Sequence, residues 1–86
     1  MICKLTGVVT ALNDGGFTVR SDGATIDEQV ATMLPGRSLR LSVGDYVEVY
    51  GGFDSKTGDF ASAWASRRSS DGTLVPLRIN PSDPPD

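Results

Sequence analysis

Short runs of alternating apolar and polar residues, separated by glycine-containing turns, limit this chain to few folds. The first run covers 3–12, and the clearest covers 46–50, where the order is Tyr-Val-Glu-Val-Tyr. Alternation with a period of two sends successive side chains to opposite faces of a β-strand. The runs therefore predict strands, and in 46–50 we expect Val47 and Val49 to face a core while both tyrosines face outward.

A tight hairpin is predicted between the first two strands. Asn13-Asp14-Gly15-Gly16 forms the turn, because Asn, Asp and Gly tolerate the positive φ values that tight hairpins require. The second strand covers 17–20, where Phe17 and Val19 share one face. Gly7, inside the first strand, predicts a bulge or bend in that strand.

The segment 24–34 fits two different elements. As a helix, its apolar residues fall at helical spacing and a Pro-Gly pair follows them. As a strand, it pairs with the second strand across an Asp22-Gly23 hairpin and places Ile26 and Val30 on the inner face. We favour the strand, with a short helical turn near Met33, because an Asp-Gly turn calls for an immediate partner strand.

Two later segments complete the strand pattern. Residues 37–41 alternate polar and apolar side chains and lead into a Val-Gly-Asp turn. In 59–66, Phe60 and Trp64 share one face of the predicted strand, and alanines occupy the other face. We expect both aromatic side chains to face the core, because large rings supply the apolar area that a small core lacks.

The C-terminal part predicts an edge strand and then a tail. Residues 73–79 include Pro76, which an edge strand tolerates although proline has no N–H. Residues 80–86 are rich in Pro and Asp, which predicts disorder, so we expect the single domain to cover 1–79. The whole pattern predicts an all-β chain of five or six short strands. Closing their sheet into a small antiparallel barrel removes exposed strand edges.

The composition argues against most enzyme chemistry and against a metal or cofactor. The chain has no histidine, which is the commonest general base and the commonest metal ligand. Cys3 is the single cysteine, which excludes an intramolecular disulfide and a thiolate zinc site. Eight Lys and Arg residues against eleven Asp and Glu residues give a net charge of −3, which opposes non-specific binding to phosphate backbones. We therefore expect no enzyme activity and no cofactor.

The sequence also lacks the features of a membrane protein. No apolar run approaches the roughly 20 residues that a membrane-spanning helix needs. The N-terminal residues do not form the cationic and apolar regions of a signal peptide. We expect a cytoplasmic protein with no membrane partner.

The segment 39–49, with the order Leu-Arg-Leu-Ser-Val-Gly-Asp-Tyr-Val-Glu-Val, resembles bacterial translation initiation factor one, an RNA- and ribosome-binding OB-fold protein. In that family an Ile-Arg-Ile triplet precedes a Pro-Gly-Asp turn and a strand with alternating valines. Further matches at nearly the same spacing are Gly7-Val8-Val9, Phe17-x-Val19, Asp22-Gly23, Phe53-Asp54 and Thr57-Gly58. The chain is also similar to uncharacterised bacterial OB-like domains. The resemblance implies a five-stranded Greek-key OB-fold barrel.

The resemblance also implies a binding surface. OB-folds that bind single strands use the exposed face of the second and third strands and two flanking loops, which correspond here to 13–16 and 51–58. Cations on this surface contact phosphates, and aromatic rings stack on bases. The candidate binding residues are Phe17, Arg20, Arg37, Arg40, Tyr46, Tyr50, Phe53, Lys56, Arg67 and Arg68. Of these, Arg37 and Arg40 match basic positions that contact RNA in the initiation factor family.

We therefore expect a non-enzymatic binding module for single-stranded nucleic acid, with RNA preferred over DNA because of the resemblance. The alternative is a protein-interaction or assembly domain, since a fold does not determine its function. In that case an edge strand such as 73–79 would pair with a strand of the partner.

Overall fold

Across residues 3–81, regular structure in the computed structural model consists of six β-strands and one short 3₁₀ turn. The structure describes residues 3–81, apart from the side chain of Ala63. The elements are β1 (Cys3–Asn13), β2 (Gly16–Ser21), β3 (Glu28–Ala31), the 3₁₀ turn (Gly36–Ser38), β4 (Tyr46–Phe53), β5 (Phe60–Arg68) and β6 (Leu74–Leu77).

The strands form one sheet in the order β3-β2-β1-β4-β5-β6. The long strand β1 pairs with β2 through its second half and with β4 through its first half. A short parallel pairing of Val30 with Phe60 joins β3 to β5 and closes β1 to β5 into a barrel. This arrangement confirms the predicted all-β, five-stranded OB-like barrel, and β6 is the predicted extra edge strand.

The core lies inside this barrel and follows the predicted alternation. Val47 and Val49 are buried, as are Phe17 and Val19. Burying one such side chain completely contributes about 1.5–3 kcal/mol to stability. The remaining buried apolar residues are Leu5, Val9, Val30, Leu39, Leu41, Phe60, Ala65, Leu77 and Ile79.

The segment 37–41 reaches the core without forming a strand. The 3₁₀ turn (Gly36–Ser38) comes first, and Leu39 and Leu41 are then buried in an irregular stretch before β4. The alternation of polar and apolar residues therefore identified which side chains are buried. It did not identify the secondary structure, because an irregular backbone can also direct two alternate side chains into the core.

The segment 24–34 contains less strand than predicted and no α-helix. Only β3 (Glu28–Ala31) forms, and Val30 is buried as expected. Ile26 is 68% exposed, so its predicted inward position is wrong. Asp27 explains the difference, because its carboxylate accepts hydrogen bonds from Arg20 and Thr10 and holds a loop after the turn at Asp22-Gly23. The helical turn lies after Pro35 rather than at Met33, which is exposed.

The strand β5 contains a register shift that places Trp64 on the surface. Phe60 is buried as predicted, but Trp64 is 46% exposed, so its predicted core position is wrong. Tyr50 pairs with Trp64, whereas the next residue, Gly51, pairs with Ser62. The extra residue in β5 exchanges the two faces of the strand, as a β-bulge does. Ala65 consequently takes the core position.

The strand β1 also contains a bulge, but not at the predicted glycine. Its register with β2 shifts between Val9 and Ala11. Gly7 instead allows a close backbone approach, because a Cβ atom there would lie 2.1 Å from the carbonyl oxygen of Arg20. The glycine therefore marks crowding between β1 and β2 rather than irregular pairing.

Most of the predicted C-terminal tail, 80–86, lies outside the residues that the structure describes. Asn80 and Pro81 follow β6 in the structure, and the rest of the predicted tail, 82–86, lies outside the described residues. Within 3–81, the structure has no helix with the length and apolar character needed to cross a membrane.

Candidate functional site

A surface rich in aromatic and charged side chains covers the outer face of β1, β4 and β5. Lys4 on β1 lies opposite Tyr50 on β4, and Tyr50 lies opposite Trp64 on β5. Alternation along β4 places Tyr46 and Glu48 on the same side as Tyr50. We call this surface the aromatic face; it comprises Lys4, Tyr46, Glu48, Tyr50, Trp64 and Arg68.

Tyr50 and Trp64 form the centre of the aromatic face. Their ring centroids are 5.3 Å apart and their planes differ by 19°, which is a stacked arrangement. Such offset stacking is a favoured geometry for aromatic pairs and contributes about 0.5–1.5 kcal/mol beyond the buried area. Because nearly half of the Trp64 surface remains exposed, the pair offers an apolar platform to a ligand.

Two cations lie beside the tyrosine rings. The guanidinium carbon of Arg68 lies 4.4 Å from the ring centroid of Tyr46, which is within cation–π range. The Nζ atom of Lys4 lies 6.0 Å from the ring centroid of Tyr50, at the limit of that range. Both cations therefore lie next to the surface on which the flat ring of a ligand would stack.

Glu48 connects Lys4 with Tyr50. Its Oε1 atom lies 3.2 Å from Nζ of Lys4 and accepts a hydrogen bond of 3.3 Å from the Tyr50 hydroxyl. The hydrogen bond and negative charge of Glu48 raise the pKa of the Lys4 ammonium above its ordinary value. Lys4 thus remains a cation throughout the physiological range, and the carboxylate orients both neighbours.

Asp22 reaches the same surface from the turn after β2. The hydroxyl of Tyr46 donates a hydrogen bond of 2.7 Å to Oδ2 of Asp22. The hydroxyl of Thr6 donates a longer one, of 3.4 Å, to the same atom. Tyr46 is therefore held between the carboxylate of Asp22 at its hydroxyl and the guanidinium of Arg68 at its ring face.

The outer surface of β2 and β3, where the resemblance placed the ligand, is polar. Thr10 donates a hydrogen bond of 3.0 Å to Asp27, which also accepts one of 2.9 Å from Arg20. Asn13 and Gln29 exchange two amide hydrogen bonds of 3.2 Å each. These side chains use their polar groups in hydrogen bonds to one another. The segment 16–31 has no aromatic residue on its outer surface.

Two of the predicted aromatic contacts lie elsewhere. Phe17 is completely buried, so its prediction as a stacking residue is wrong: the alternation that directs Val19 inward directs Phe17 inward too. Phe53 is exposed at the end of β4 and makes an edge-to-face contact with Phe60, at 5.2 Å between centroids. Phe53 therefore lies beside the barrel end rather than within the aromatic face.

The predicted cations are dispersed over the molecule. Arg20 is paired with Asp27, and Arg37 lies 3.4 Å from Asp14 in the β1–β2 loop. Lys56 lies in the exposed loop between β4 and β5, and Arg40 is exposed before β4. Arg67 lies opposite the buried Val47, and its Nε atom is buried without a hydrogen-bond partner. Arg68, by contrast, lies in the aromatic face, where it contacts the ring of the predicted Tyr46.

Lys4 and Trp64 belong to the aromatic face but were not among the residues predicted from the sequence. Lys4 precedes the buried Leu5, so the alternation in the first strand predicts that Lys4 faces outward. The outward direction of Trp64 could not be predicted in this way, because it depends on the bulge in β5. Among residues 3–81, no group of three or more Cys, Asp or Glu side chains is arranged to hold a metal ion.

The free edge of β6 does not favour pairing with a partner strand. Ser69 donates a hydrogen bond of 2.8 Å to the carbonyl of Thr73, so these residues form a hydrogen-bonded pair at the end of the β5–β6 hairpin. Because such pairs alternate, Val75 directs its N–H toward β5 and Pro76 faces outward. An outward proline removes a donor from the free edge, which is a known protection against edge-to-edge association.

Three of the six residues of the aromatic face, Tyr46, Glu48 and Tyr50, lie in a segment that a known family shares. Neither a curated protein nor a solved structure matches the chain in the comparisons. A family model described as a domain of unknown function, DUF5666, matches residues 6–62, which include β1 from Thr6, all of β2 to β4, and the beginning of β5. Because this match covers well over half of the chain, the protein belongs to the DUF5666 family.

Proposed function

We propose that this domain is a non-enzymatic module that binds single-stranded nucleic acid through the aromatic face. The observation that carries the proposal is the exposed Tyr50–Trp64 stack with Lys4 and Arg68 beside it. Base stacking on such aromatic side chains contributes about 1–3 kcal/mol per base. It requires no particular sequence, because every base has a π-face.

The dimensions of the aromatic face suit a short segment of a single strand. Arg68 lies four positions after Trp64 along β5, which corresponds to roughly 13 Å at about 3.3 Å per residue. Lys4 lies two strands away from Trp64, which adds roughly 10 Å across the sheet. A strand of about four nucleotides, the lower limit for OB-folds, fits this area.

Stacking carries more of the proposed affinity than phosphate contacts do. The face has two cations, Lys4 and Arg68, and the two nearby carboxylates of Glu48 and Asp22 reduce its positive potential. Each phosphate contact on a single strand changes the logarithm of the affinity by about 0.7 per logarithm of the salt concentration. Two contacts therefore predict a slope of about −1.4, which is shallow for a nucleic-acid-binding protein.

The fluorescence of Trp64 tests the proposal directly, because Trp64 is the single tryptophan of the chain. The protein is titrated with RNA and DNA oligonucleotides of about eight nucleotides at about 50 mM and about 200 mM salt. We expect quenching that saturates and that weakens modestly at the higher salt. The absence of any change at low salt would contradict the proposal.

A matched pair of variants locates the site. Arg68→Gln removes a cation of the aromatic face, and Arg37→Gln removes an exposed cation near the β1–β2 loop. We expect weaker binding for Arg68→Gln and unchanged binding for Arg37→Gln. The reverse result would place the contact at the surface that the initiation factor family uses.

A protein partner is the second candidate for the same face. Val8 and Leu74 extend it with exposed apolar side chains next to Tyr46 and Arg68. Tyr, Trp and Arg are the residues that most often dominate protein–protein binding energy. Affinity for a protein partner that depends on Trp64, together with no response to oligonucleotides, would favour this candidate.

A further inference from the structure

We infer that Glu48 gives the aromatic face a preference for cytosine over uracil or thymine. This inference rests on the proposed function, because it concerns which base the face selects. Glu48 occupies the outer face of β4 between Tyr46 and Tyr50, one row along the sheet from the Tyr50–Trp64 stack. A base on that stack would therefore have its edge near this carboxylate.

The carboxylate of Glu48 has one occupied and one open oxygen. Oε1 contacts Lys4 and accepts the hydrogen bond from Tyr50, whereas no hydrogen bond within the described chain reaches Oε2. Among residues 3–81, the buried side-chain polar atom without a partner is Nε of Arg67. Oε2 of Glu48 is therefore not a buried, unpaired atom, and solvent reaches it although the side chain is only 14% exposed.

An ionised carboxylate accepts hydrogen bonds and cannot donate them. Cytosine carries an amino group at position 4, which donates, and carboxylates are its usual partners in base recognition. Uracil and thymine carry a carbonyl oxygen at that position, so their lone pairs would face the negative charge of Oε2. The contacts of Lys4 and Tyr50 are with Oε1, so Oε2 is the oxygen that a cytosine amino group would reach.

A comparison of two pyrimidines, cytosine and uracil, isolates the contribution of Glu48 to base preference. Cytosine and uracil have rings of the same size and strands of the same charge, so stacking and phosphate contacts are nearly equal for both. A hydrogen bond to a charged group is among the stronger ones in proteins, and a fully buried one would give a preference of more than about tenfold. For a partly solvated oxygen we expect a preference on the order of five- to tenfold.

The experiment compares oligocytidine with oligouridine of equal length by quenching of Trp64 fluorescence at neutral pH. For the native protein we expect tighter binding of oligocytidine. Glu48→Gln should abolish or reverse the preference, because the amide nitrogen donates to the carbonyl of uracil. Glu28→Gln is the matched control on β3, outside the aromatic face, and should keep the preference. Circular dichroism verifies the fold of both variants, and Glu48→Thr replaces Glu48→Gln if that variant does not fold.

The outcomes separate the inference from the proposed function. Equal binding of both oligonucleotides, or tighter binding of oligouridine, would overturn the role of Glu48 and leave the proposed function standing. A preference that survives Glu48→Gln would also overturn it. If neither oligonucleotide binds, the proposed function fails and the inference fails with it.

Discussion

Tyr50 and Trp64 stack on neighbouring strands because the register between β4 and β5 shifts by one residue at Gly51. Without this shift, Trp64 would share the inward face of Phe60. The bulge therefore transfers a large aromatic ring from the core to the outer face. The main element of the proposed binding surface depends on this one irregularity in pairing.

Phe60 and Trp64 should contribute very differently to stability. Phe60 is 1% exposed, so Phe60→Ala leaves a cavity and should lower the free energy of unfolding by about 3–5 kcal/mol. Trp64→Ala should cost about 1 kcal/mol, because it removes mainly the contact with Tyr50. Urea denaturation followed by circular dichroism measures both values. Equal losses would show that Trp64 belongs to the core.

Gly51 should resist substitution. A Cβ atom at Gly51 would lie 1.9 Å from the carbonyl oxygen of Ala61, so β4 and β5 would have to separate. We expect Gly51→Ala to destabilise the protein by about 3 kcal/mol, the upper range for overpacking. Gly15→Ala is the control, because its Cβ would meet only ordinary contacts and should leave the melting temperature nearly unchanged.

Pro76 should limit self-association. Pro76→Val restores an N–H on the outward edge of β6 and extends its row of donors, which favours pairing with a second copy. Analytical ultracentrifugation should show a larger apparent mass than for the native protein as concentration rises. Pro76→Lys restores the same N–H but adds a charge, so it should behave like the native protein. Association by both variants, or by neither, would contradict this role.

Asp71 should titrate at unusually low pH. A hydrogen bond from the Ser69 hydroxyl, followed by bonds from Thr73, lowers the pKa of Asp71 to about 2 from an ordinary value of 3.8. Because the folded pKa is lowered, the stabilisation by these bonds is present above about pH 4 and is lost as the pH falls toward 2. Carboxyl chemical shifts in NMR measure the titration. A midpoint near 3.8 would show that the β5–β6 turn does not hold the carboxylate.

The proposed site departs from the surface that the resemblance indicated. That surface, on β2 and β3, is occupied by a closed polar network around Asp27, and its expected aromatic residue, Phe17, is in the core. The aromatic face lies on the opposite side of β1. The resemblance in strand pattern therefore predicted the barrel correctly, whereas the proposed binding surface lies elsewhere on it.

The strands that alternate regularly could be predicted from the amino-acid pattern alone. In β2 and β4, the period of two predicted that Phe17, Val47 and Val49 face the core, and all three are buried. Each of these strands has one apolar face, and burying that face stabilises the fold. The same alternation placed Tyr46 and Tyr50 outside. Such patterns are local, so no knowledge of the partner strands was needed.

The composition of the aromatic face depends on how distant strands pair, which the local pattern does not predict. Trp64 faces outward because β5 pairs with β4 across a bulge, and a bulge is a relationship between two strands that neither strand encodes alone. The same holds for Ile26, which the hydrogen bonds of Asp27 with residues of β1 and β2 keep on the surface. Local periodicity specifies the faces of a strand, whereas pairing with distant segments specifies where its register changes.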